Sequence, residues 1–198
     1  MYKLLTKFIV LFCLLNTSFL TAVAGEIIQI TAATRHLIPK GKKVDAIDGD
    51  WILKNDKVVV VIAGAAPDQK ANRIVQGIQG AVLDFTSLTA NNNQLVAYYP
   101  QDYRLDGIST DKIEAVKAHG KEIILKCTRH STVEEPYQSE TVYTLREGEK
   151  FLRIKTTHSN TGKNAVSFYL ADKIKLDNDI IDISLRGNNN LSFIYKKY

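Results

Sequence analysis

Residues 140–176 constrain this chain more than any other stretch. They read ETVYTLREGEKFLRIKTTHSNTGKNAVSFYLADKIKL, three segments of period two joined by polar turns at Glu147-Gly148 and Asn160-Thr161-Gly162. In the last segment Val166, Phe168, Leu170, Ile174 and Leu176 fall on one side. Ala165, Ser167, Tyr169, Ala171, Lys173 and Lys175 fall on the other. Successive side chains of a strand leave opposite faces of a sheet, so such alternation predicts half-buried antiparallel strands.

The remainder of the chain carries the same signal. Residues 26–31 (EIIQIT) predict a first strand, and residues 34–48 a basic loop punctuated by Pro39 and Gly41. Residues 49–54 and 57–63 predict a hairpin through Asn55-Asp56. The run Val58-Val59-Val60-Val61-Ile62 has no polar alternation, which predicts cover on both faces and a central place. Short strands are expected at 81–85 and 95–99. Another hairpin is expected from 113–118 and 121–130 around His119-Gly120, where glycine can take positive φ. Residues 181–186 alternate again, turn through 187–190 and return as 191–198. That last piece either pairs within the fold or leads into a longer protein of which this chain is the front. Helical periodicity of useful length is missing after the leader. Many short strands between turn signals predict an all-β fold, an antiparallel β-sandwich spanning residues 25–198.

Residues 1–24 read as a cleavable signal peptide. Lys3 and Lys7 give a positive start, residues 8–15 an apolar run, and Ala22-Val23-Ala24 small residues at the cleavage site. The competing reading is a membrane anchor, but Asn16, Thr17 and Ser18 cut the run short of the ~20 residues a span needs. The expectation is therefore export to the periplasm, cell surface or medium, with no span left after cleavage. Losing Lys3 and Lys7 lowers the basic count from 26 to 24 against 21 acidic residues, a net charge of +3. Basic and acidic residues are interspersed, and the densest cluster, Lys40, Lys42 and Lys43, has no interleaved aromatics. No nucleic-acid partner is expected. The processed chain keeps one cysteine, Cys127, on the face of Ile123 and Leu125, so packing rather than disulfides must hold the fold. His130 is close in sequence but faces the other way, which disfavours a thiol nucleophile.

Two blocks carry a family resemblance. Residues 49–62 (GDWILKNDKVVVVI) followed by 77–84 (GIQGAVLD), and then residues 151–172 around Asn160-Thr161-Gly162, resemble galactose-mutarotase-like β-sandwich domains. The resemblance extends to such domains at the front of large exported bacterial proteins, some with a PHP-type phosphoesterase part downstream. It implies a supersandwich-like architecture, a carbohydrate-facing surface and a neighbouring catalytic domain as partner. The histidine acid and glutamate base of the true epimerases have no assignable counterparts here.

Hairpin geometry supplies the candidate site. In a meander of 121–130, 141–146 and 150–158 the outer two strands run the same way, gathering Arg129, His130, Glu134, Glu135, His158 and Asn160 at one rim. By parity Arg129 shares the face of Leu125, and His158 that of Ile154. A guanidinium and an imidazole at such a mouth suit sugar hydroxyls or a carboxylate. Asp172 interrupts the apolar column of the last segment. It is open to three readings: return to solvent at a bulge, pairing with an Arg such as Arg153, or a functional carboxylate. Tyr98, Tyr99, Tyr103 and Trp51 are either sugar platforms or packing residues, and packing is the commoner role. HxH, HExxH and CxxC spacings are missing, so neither metal nor cofactor is expected. The expected function is a non-catalytic binding or scaffolding module. The alternative is an aldose-epimerase-type enzyme using His158 and a rim carboxylate.

Overall fold

The computed structural model of the chain describes residues 25–41, 44–66, 77–90, 95–100, 110–116, 121–166 and 172–176. Residues 1–24, the aromatic Tyr103 and the alternating residues 181–198 lie outside these residues. Among the described residues ten strands form two antiparallel sheets, with one turn of 3-10 helix at Arg35–Leu37. The larger sheet has the order β1-β2-β3-β4-β5-β10: Glu26–Gln29, Trp51–Lys54, Val58–Ile62, Val82–Ser87, Leu95–Tyr99 and Lys173–Leu176. The smaller is the meander β6-β7-β8-β9: Lys112–Val116, Glu122–Arg129, Tyr137–Arg146 and Arg153–Asn160.

The valine run behaves as its pattern predicts. β3 is buried at all five positions and lies between β2 and β4. Its even-numbered side chains, Val58, Val60 and Ile62, pack with Leu53 and Val82 against Ile123, Leu125, Tyr143 and Leu145 of the smaller sheet. Its odd-numbered ones, Val59 and Val61, join Ile30, Ile52, Ile78, Leu83 and Ala97 in a second core. Leu37, Ile38 and Ala46 of the 31–50 connection cover that core from outside. The larger sheet is thus dry on both faces and the smaller on one. Together they make a sandwich-like, all-β arrangement.

Two side-chain clasps fix this layering. Asn55 in the β2–β3 turn donates to the carbonyls of Arg146 (2.5 Å) and Glu149 (2.8 Å) in the β8–β9 turn. Its Oδ1 accepts from the backbone N–H groups of Lys57 and Val58, closing its own turn. Asp50 is fully buried, accepting from the N–H of Gly64 (2.7 Å) and of Ile47 (2.8 Å).

The last alternating segment finds its partner across the molecule. Residues 167–171 lie outside the described residues, and 173–176 pair with β5 in the larger sheet. Period two specifies a strand, not the edge it pairs with.

Candidate functional site

The inner face of the meander grades from apolar to polar along its length. Cross-strand neighbours share a face, so the register can be read row by row. Leu125, Tyr143 and Ile154 form an apolar row. Cys127, Thr141 and Thr156 follow, the two threonine hydroxyls 3.0 Å apart. Arg129, Ser139 and His158 come next, and Tyr137 opposite Asn160 ends the face. The polar end is the rim predicted from hairpin direction.

Arg129 is 8% exposed. Its Nη2 pairs with the Glu135 carboxylate, and its plane lies 4.4 Å from the centroid of the Tyr137 ring. Its Nη1 is buried, and among the described residues no acceptor reaches it. Glu135 is held by a tight turn: its N–H donates to Thr132 Oγ1 and its carbonyl accepts from the Thr132 N–H, both at 3.0 Å. A further bond, from the Thr161 N–H to the Pro136 carbonyl (2.9 Å), ties that loop to the end of β9. Arg129 and Ser139 therefore form the floor with Glu135 half-exposed above it, while His158 is half-buried with both ring nitrogens inside. Burial holds the His158 imidazole below its ordinary pKa, which keeps it neutral at physiological pH.

The other expected site residues are elsewhere. His130 faces outward as parity requires: Asp111 accepts from its backbone N–H (2.9 Å) and lies 2.6 Å from its Nδ1. Glu134 stands in solvent on the loop, and Asn160 is engaged in its own turn with Gly162 and Asn164. Asp172 belongs to the larger sheet, just before β10. It is half-buried and hydrogen-bonds the Tyr98 side chain, whose pKa is raised by burial and then by that charge. Arg153 pairs instead with Glu149, at 2.6 Å. Of the aromatic candidates, Tyr99 is buried, and Trp51 and Tyr98 pack against the core between the sheets.

Cys127 is a core residue. Burial pushes its thiol up to about 12, which leaves no thiolate for nucleophilic chemistry at neutral pH. Beside it a cavity of about 20 Å³ is lined by Gln79, Tyr99, Thr110, Ser139 and Thr141, room for a single water. Tyr143 also lines it, donating to the Gly80 carbonyl at 2.6 Å. Gly80 has φ +78°, and a Cβ there would strike Thr110. Among the described residues no group of three His, Cys, Asp or Glu side chains could hold a metal ion.

Sequence reading overlooked the most isolated acid of the core. Asp84 is 2% exposed, and neither of its oxygens has a hydrogen-bond partner of good geometry among the described residues. Burial raises its pKa to about 7, the Phe85 N–H offsetting only part of the effect. A β-bulge puts it there: Val61 pairs with Asp84 but Ile62 with Val82, so Leu83 is an extra residue and parity breaks. Sequence reading also overlooked Ser139 and Tyr137. Alternation backward from Thr141 to Pro136 would have extended β8 and placed both on the inner face.

Comparison of the chain with protein-family models, with curated proteins and with solved structures finds no match.

Proposed function

We propose that this chain is a non-catalytic, exported β-sandwich module that binds carbohydrate at the polar end of the meander, serving a larger periplasmic or surface assembly. One observation carries the reading: a buried Arg129 fixes the half-exposed carboxylate of Glu135 at a mouth that His158 lines, its imidazole neutral and its ring nitrogens buried. A half-exposed carboxylate that accepts suits vicinal hydroxyls, and its buried guanidinium support limits the entropy lost on binding. The two strand–turn blocks that resemble galactose-mutarotase-like domains support the supersandwich architecture and the choice of sugar. The basic, apolar and small-residue order of residues 1–24 supports export. Chemistry of the chain's own is not part of the proposal. The thiol is locked in the core, and the outward histidine is engaged by Asp111.

A glycan array probed with the processed protein tests this, followed by calorimetry on the glycans retained. His158→Ala is expected to weaken binding at least tenfold while leaving the melting temperature within a few degrees. Sugar turnover by the wild type that His158→Ala abolishes would convert the module into an enzyme and end the proposal. Intact-mass measurement of the exported chain is expected to give an N-terminus at Gly25.

A further inference from the structure

Arg129 contributes one positive charge at the mouth, and Glu135 cancels it by direct contact. The cancellation is incomplete in geometry though complete in charge. Glu135 meets Nη2, while the buried Nη1 has no acceptor among the described residues. The surroundings lean negative: Glu134 stands beside Glu135 in the same loop, and burial keeps His158 uncharged. Outside the row, His130 is engaged by Asp111 and turned away. An anionic ligand would therefore meet the Glu135 carboxylate in a partly desolvated site, where like charges repel more strongly than in water.

We infer that Glu135 determines the charge preference of the mouth: by closing on Arg129 it admits neutral polyols and refuses carboxylates. The inference rests on the carbohydrate-binding proposal and adds the class of sugar to it. Removing the charge of Glu135 would leave a buried guanidinium whose Nη2 has no counter-ion. Such a group holds a carboxylate well, because its N–H donors are planar and already fixed. The same row that takes a neutral sugar in the native chain then becomes a uronate site.

Calorimetry with matched neutral and uronate tetrasaccharides, chosen as the panels that cover common linkages, tests the assignment. The native chain is expected to bind its best neutral ligand at least tenfold more tightly than any uronate. Glu135→Gln keeps the shape and an acceptor for Arg129, and is expected to shift that ratio at least tenfold toward uronates. Glu140→Gln is the control. It changes net charge equally but lies on the outer face of β8, 3.5 Å from Lys126, and is expected to leave the ratio unchanged. Glu135→Ser, which also removes the charge, is expected to move the ratio in the same direction should the glutamine variant fold poorly. Equal or tighter uronate binding by the native chain overturns the inference while the carbohydrate reading stands. So does a ratio that neither variant at 135 moves. Binding of neither panel by the native chain overturns both.

Discussion

The two sheets are built from similar alternating sequences and solve different problems. The larger has hydrophobic cover on both faces, and its polar intruders must be satisfied internally or carry a penalty. The smaller keeps one wet face, where Lys126 lies 3.7 Å from Glu114 and 3.5 Å from Glu140, and Arg146 pairs with Glu122. Its inner face is apolar at one end and polar at the other, so function can occupy the rim without weakening the centre. A sheet with one free face can grade its chemistry; a sheet buried twice cannot.

The sharpest way to break this contrast is through the buried acids of the larger sheet. Asp50 has two backbone donors, whereas Asp84 has no partner of good geometry among the described residues. Folding raises the Asp84 pKa from 3.8 to about 7, a difference worth on the order of 4 kcal/mol. An acid with a raised pKa favours the folded state while it is protonated. That advantage is complete below about pH 4 and disappears as pH rises through about 7. Urea denaturation between pH 4 and pH 9 is expected to show this loss in the native chain. Asp84→Asn should remove that component and be the more stable protein above pH 7. If the two stability profiles run parallel, the acid is not isolated.

Truncation sharpens the comparison on the smaller sheet. Leu125→Ala, on its dry face, is expected to cost about 3 kcal/mol. Val142→Ala, on the wet face of the neighbouring strand, should cost under about 1 kcal/mol. Similar losses in denaturation midpoint would mean that both faces are covered. Asn55→Ala removes the clasp between the two hairpin turns and should cost about 2 kcal/mol, visible in the same measurement. Lys126→Ala is expected to shift stability by less than about 1 kcal/mol, the shift shrinking further in high salt.

How far the sequence could be read follows from the range of each signal. Strand existence and the hairpins at 49–63 and 113–130 rest on neighbours a few residues apart, so periodicity and turn residues announce them. The Arg129–His158 row was legible because strand direction and parity suffice to compute it. The Glu135 contact needs the loop conformation set by Thr132, which no period encodes. Asn55 looked like a turn residue and is one, but its second role depends on carbonyls 91 and 94 positions away. Asp84 was hidden by a bulge that only the β3–β4 pairing reveals. Asp172 stayed open between solvent, an Arg partner and a functional role, because no period encodes that the chain changes sheet after the meander.

That change of sheet has a consequence for how the chain is made. Lys173 sits opposite Tyr99, so the outer partner of β5 is synthesised only after the whole meander has emerged. Until then β4 covers one edge of Leu95–Tyr99 and a nascent first sheet presents the amide groups of the other edge without their β10 partner. Ribosome-bound chains halted before position 173 should accordingly be the species most in need of a chaperone.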